Sequence, residues 1–195
     1  MSPPEAPDYA EWSLVSDREW DGFAADVLVP LWVVRYVGAT AWEPEIVEID
    51  QNALTFMFDA APTLGDFDDL AVSDRVVAVW GRSAKPTGKR DPRRLAGFLS
   101  DTTLWSGRNR DRGHLIAHSA GGGLDMNLIP QASALSRGRS PAGRRWRKLE
   151  RHAASHPGTP LFVCPIYDGP SWVPASLEYG LVVSGRLRVE RFANR

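Results

Sequence analysis

Short apolar or alternating runs, each closed by turn residues, constrain this chain most, because runs of that length suit strands rather than helix faces. Glu45 to Ile49 and Ala53 to Phe58 alternate around Asp50-Gln51-Asn52 and predict a hairpin. Leu31 to Val37 is rich in β-branched and aromatic residues and reads as a buried strand, Val76 to Trp80 reads as another strand, and Leu161 to Tyr167 and Glu178 to Ser184 are apolar runs bounded by Pro and Gly. Arg186 to Phe192 alternates and is expected to pair with the preceding run through Ser184-Gly185. Two segments carry helical spacing instead. Ser16-Asp17-Arg18-Glu19 has capping-box spacing ahead of Trp20, Phe23, Ala24, Val27 and Leu28, a helical face that Pro30 is expected to stop. Arg144 to Ala154 sets Trp146, Leu149 and Ala153 on one side, with charged faces on the others. Gly81 to Arg94 reads as a basic loop, and Phe98 to Trp105 fits helix or strand equally. Hairpins with few helices predict an α+β fold built on a mostly antiparallel sheet.

The net charge of −1 conceals a partition along the chain. Residues 1–80 hold 16 acidic and 3 basic side chains, and residues 81–195 hold 8 acidic and 20 basic ones. The expected organisation is an acidic region, 1–80, packed into the same fold or forming a small accessory subdomain, and a basic domain, 81–195. A basic half suits a phosphodiester backbone, because each neutralised phosphate releases counterions; a solvated charged face is the alternative. The single cysteine, Cys164, allows no internal disulfide and no cysteine zinc cluster, and its apolar neighbours predict a buried thiol. No unbroken run of 18 apolar residues occurs, so no spanning helix is expected, and Met1 to Tyr9 lacks the pattern of a signal peptide.

Asp111-Arg112-Gly113-His114 concentrates the chemistry. Hydrolysis of a phosphodiester needs a base to activate water and a cation to balance developing charge. His114 titrates near neutral pH without special tuning, and Arg112, two positions earlier, would share its strand face and hold a phosphate with its planar fork. Gly113 would let substrate approach the backbone. Further pieces follow in order: Asn127-Leu128-Ile129-Pro130-Gln131, then Ser136-Arg137-Gly138, then Trp146-Arg147-Lys148-Leu149-Glu150.

This series resembles the DNA/RNA non-specific endonucleases of the ββα-metal (His-Me finger) nuclease superfamily, whose pattern reads D-R-G-H, N-x-x-P-Q, N-x-G and W-x-x-L-E. The likeness covers about residues 107–195. Its tail, including Trp172-Val173-Pro174 and Leu177-Glu178-Tyr179-Gly180, looks like the branch found among bacterial toxin nuclease domains. The resemblance implies a ββα-metal core within the α+β fold and a metal-dependent, sequence-nonspecific endonuclease acting on DNA and/or RNA. It makes His114 the general base and Arg112 the clamp on the scissile phosphate. Asn127 would stand beside His114 and fix its ring, and Glu150 would support the metal through bound water. Mg²⁺, with Mn²⁺ as a substitute, would be the cofactor. Gln131 is expected to be structural. At the N-x-G position the family's metal ligand is Asn, whereas here it is Ser136. Ser136 is then a poorer ligand, or Asp125 or Asn127 substitutes, or the metal site is impaired. Arg108, Arg110, Arg137 and Arg144 are expected to track the phosphate backbone, and His118 to be structural or to touch phosphate. The toxin likeness implies a cognate immunity protein as partner, no membrane, and a cytoplasmic location or delivery as an effector. Two other readings stand beside this one: a nucleic-acid-binding module that does not cut, and an interaction protein whose acidic half masks a basic partner or its own basic half.

Overall fold

The computed structural model describes residues 9–12, 16–40, 43–60, 75–89, 91–97, 109–169 and 171–195. One continuous helical run comprises α1 (Trp20–Phe23), a π-helical stretch (Ala24–Leu28) and α2 (Val29–Thr40). Next come β1 (Ile46–Gln51), β2 (Leu54–Asp59), β3 (Arg75–Arg82) and α3 (Pro92–Gly97). They are followed by β4 (Arg110–His114), β5 (Leu128–Ala132), α4 (Ser133–Ser136) and α5 (Pro141–Ser155), then β6 (Pro160–Ile166), β7 (Ser176–Val183) and β8 (Arg186–Ala193). A six-stranded sheet runs in the order β1-β2-β3-β6-β7-β8 with every pairing antiparallel, and β4 and β5 form a separate ribbon. This is an α+β fold.

Both faces of the sheet are covered, which explains why its central strands read as continuous apolar runs. On one face Trp20, Ala24, Leu28, Trp32 and Tyr36 of the helical run meet Met57, Val77, Phe162, Cys164 and Val182. On the other, the β4–β5 ribbon and α5 pack on Phe56, Val79, Val163, Tyr179 and Phe192. β8, at the sheet edge, buries Leu187 on one face and Phe192 on the other and leaves Arg186, Arg188 and Arg191 exposed. The acidic and basic stretches share this one sheet, because β3 pairs with β6 through Val79–Val163 and Trp80–Phe162.

Three local expectations fail here. Leu31 to Val37 is helix, not strand: Trp32, Arg35 and Tyr36 are buried while Val34 is 71% exposed, a helical and not an alternating rhythm. β-branched residues lose here to tertiary context, since the run continues the buried face begun at Trp20 and Ala24. Pro30 does not stop the helix. The wider π turns at Ala24–Leu28 lie just before it, where a proline ring would otherwise crowd the preceding carbonyl. The capping box does not form either: the Ser16 hydroxyl donates to the Glu19 carboxylate at 2.6 Å, and the helix begins at Trp20. Across Trp20–Thr40 the joined run is 21 residues with mean hydropathy 1.3, long and apolar enough to cross a membrane by length and composition only, a test that the core helix of a soluble protein also passes. One face of it packs on the sheet.

Between this helix and the sheet sits a buried polar group. Arg35 donates to Glu178 at 2.8 Å and to the Cys164 sulfur at 3.0 Å, and the Tyr9 hydroxyl donates to the same Glu178 oxygen. Burial pushes the Cys164 thiol up to about 11, against the pull of Arg35. It is the inert core thiol its neighbours predicted.

Candidate active site

The β4–β5 register pairs Asp111 with Gln131, Arg112 with Pro130 and His114 with Leu128. Side chains two apart on a strand share a face, so Arg112 and His114 project together. Both line an open cleft of about 360 Å³. Gly113 is required for close approach: a Cβ there would lie 2.3 Å from the Gln131 side chain, which crosses the glycine and also lines the cleft. Gln131 is fully buried and its Nε2 has no partner.

The other wall comes from the ribbon's C-terminal extension. α4 follows β5 directly and puts Ser136 on the cleft. The chain turns back through Gly138 at φ +67°, and α5 opens with Ser140 as its N-cap, accepting from the Gly143 amide at 2.9 Å, and Pro141 at its first position. Trp146 anchors the helix. It is fully buried, edge-on to Tyr179 at 5.0 Å and to Phe192 at 5.2 Å. With Trp146 held inward, Arg147 and Glu150 turn into the cleft. His118 and Ser119, from the loop after β4, complete it.

Glu150 is only 13% exposed, and burial raises its carboxyl above the ordinary carboxylate range, with Arg147, 3.7 Å away, and Trp146 opposing the rise. Asp111 behaves in the opposite way. Burial works against its charge, yet hydrogen bonds from Arg137 and the Ser133 hydroxyl hold it below its usual range.

Six residues singled out in the sequence therefore meet in one place: Arg112, His114, His118, Gln131, Ser136 and Glu150. Asn127 does not join them. It is fully buried; its Oδ1 accepts from the Ile116 amide, and its Nδ2 donates to the carbonyls of Ile116 and Gly123. A carboxamide so engaged clamps the loop between β4 and β5, and Asn127 is not among the residues that line the cleft. The Arg137 guanidinium grips both oxygens of Asp111. Arg110 is half-buried on β4 and Arg144 is exposed on α5, and neither lines the cleft. Asp125 is paired with Arg94 on the surface. Arg108 and the run Phe98 to Trp105 lie outside the described residues. Arg147 was missed as a cleft residue, although its i, i+3 spacing to Glu150 was the available signal.

Among the described residues no group of three or more His, Cys, Asp or Glu side chains gathers to cage a metal. One half-buried carboxylate, Glu150, and one hydroxyl, Ser136, do line the cleft. That donor set fits a hard cation that keeps most of its water and takes its remaining oxygens from substrate. Compared with family models and with curated proteins, the chain matches none.

Proposed function

We propose that this cleft hydrolyses the phosphodiester backbone of DNA and/or RNA without reading sequence. The observation that carries the reading is the convergence of Arg112 and His114, on one face of β4, with Ser136 and Glu150 from α4 and α5. These are residues of three of the motifs through which the chain resembles the ββα-metal nucleases. In this reading His114 takes a proton from the attacking water, whose oxygen forms the new bond to phosphorus as the bond to the leaving oxygen breaks. Arg112 binds the non-bridging oxygens and offsets their growing charge. Gln131 holds the strand below them, packed on Gly113. Glu150 and Ser136 would hold Mg²⁺ or Mn²⁺, which would supply charge neutralisation at the phosphate and leaving oxygen. Polar, basic lining without a base-reading element predicts affinity dominated by phosphate and falling steeply with salt.

The test is cleavage of supercoiled plasmid and of RNA with Mg²⁺, Mn²⁺ or chelator, beside His114→Ala. Metal-dependent cutting that the variant loses is expected; cutting by the variant at the unmodified rate would overturn the role of His114. A second reading, binding without cutting, is favoured by Ser136 at the family's metal position together with the engagement of Asn127 elsewhere. It predicts that the unmodified chain shifts DNA in a gel and leaves it intact with either metal.

A further inference from the structure

We propose that Arg147 is a second phosphate-binding cation of this cleft, contacting the phosphate next to the scissile one, so that the substrate is a polynucleotide rather than an isolated phosphodiester. This rests on the phosphodiester reading above. The basic half supplies many arginines, but tertiary structure disposes of several. Arg137 is held by both oxygens of Asp111, and Arg145 bonds Glu190 at 3.0 Å. Each of these already has an anion at hydrogen-bond distance. Arg147 lines the same cleft as Arg112 and His114, and its nearest carboxylate, Glu150, is 3.7 Å away, beyond hydrogen-bond range. Its side chain is 52% exposed, so its guanidinium can meet a polyanion entering from solvent.

Its placement is also fixed in advance. Trp146, the preceding residue, is locked between Tyr179 and Phe192, which sets the rotation of α5. Gly138 lies against the stem: a Cβ there would stand 3.1 Å from the Arg147 Cγ. The positive φ at Gly138 and this contact both favour glycine at that position. A guanidinium whose stem is packed loses less rotamer freedom on binding, and its planar fork suits phosphate oxygens. Arg112 comes from β4 and Arg147 from α5, so the two cations reach the cleft from different elements. Two separately mounted cations match a backbone that presents phosphates in series, whereas a lone diester would need only one.

The measurement is equilibrium binding of a short fluorescent single-stranded DNA, in chelator, across a salt series, for the unmodified chain, Arg147→Gln, Arg147→Lys and Arg188→Gln. Each phosphate contact contributes about 0.7 to the slope of log affinity against log salt on single strands. Arg147→Gln should lower the slope by about that amount, Arg147→Lys should restore it, and Arg188→Gln, at an exposed position of β8, should leave it alone. Cleavage of the oligonucleotide should slow more in Arg147→Gln than cleavage of bis(p-nitrophenyl) phosphate, which has no neighbouring phosphate. An unchanged salt slope in Arg147→Gln overturns the inference and leaves the nuclease reading standing. Equal losses on both substrates overturn it as well, placing Arg147 on the scissile phosphate. No salt-dependent binding by the unmodified chain removes the nuclease reading and the inference together.

Discussion

Replacing Asn127 separates a catalytic residue from a clamp. Its side chain makes three hydrogen bonds, two to the Ile116 amide and carbonyl in buried surroundings and one to the Gly123 carbonyl. Asn127→Ala leaves those backbone groups without their partner. An unpaired buried donor or acceptor costs about 1–3 kcal/mol, and partial rehydration near Gly123 softens the third, so the loss should be about 3–5 kcal/mol. For a chain of this length that lowers Tm by on the order of 10 °C. Urea denaturation monitored by tryptophan fluorescence would read it as a lower midpoint at unchanged slope. Asn127→Asp sharpens the test. A metal ligand tolerates a carboxylate, but here one carboxylate oxygen would face the carbonyls of Ile116 and Gly123, where a donor now sits. The aspartate variant should therefore be at least as unstable as the alanine one. Either variant melting like the unmodified chain while losing metal-dependent activity would refute the clamp and return Asn127 to the site.

Other outcomes follow from the same geometry. Glu150→Gln should lose activity yet gain stability relative to the unmodified chain as pH rises. The half-buried carboxyl's raised folded-state value means its favourable share is complete at acidic pH and is lost as pH climbs through the unfolded and then the folded value; parallel thermal melts between pH 4 and pH 8 would contradict this. Arg35→Met should cost about 3–5 kcal/mol by stranding the buried Glu178 charge, and adding Glu178→Leu should recover most of it; an additive double variant in urea titration would refute the coupling. Ser136→Asn should lower the Mg²⁺ concentration needed for half-maximal cleavage, and an unchanged metal titration would remove Ser136 from the metal's surroundings.

Sequence alone determined the elements whose signal is local. The hairpin of β1 and β2, the β7–β8 pairing through Ser184-Gly185 and the helix carrying Trp146 were legible, because alternation, turn residues and helical spacing act over a few residues. The adjacency of Arg112 and His114 was legible for the same reason, strand period 2. The segment Leu31 to Val37 was not, since an apolar β-branched run fits helix or strand, and only the helix face opened by Trp20 against the sheet chose between them. Nor could spacing tell which polar side chains have been taken by partners distant in sequence. Asn127 is bonded to Ile116 and Gly123, and Arg137 to Asp111 across 26 positions, while Arg147 remains turned into the cleft. A motif fixes which groups are present. Only the tertiary structure decides which of them still face solvent, because a buried polar group is drawn to the nearest partner whatever its place in the chain.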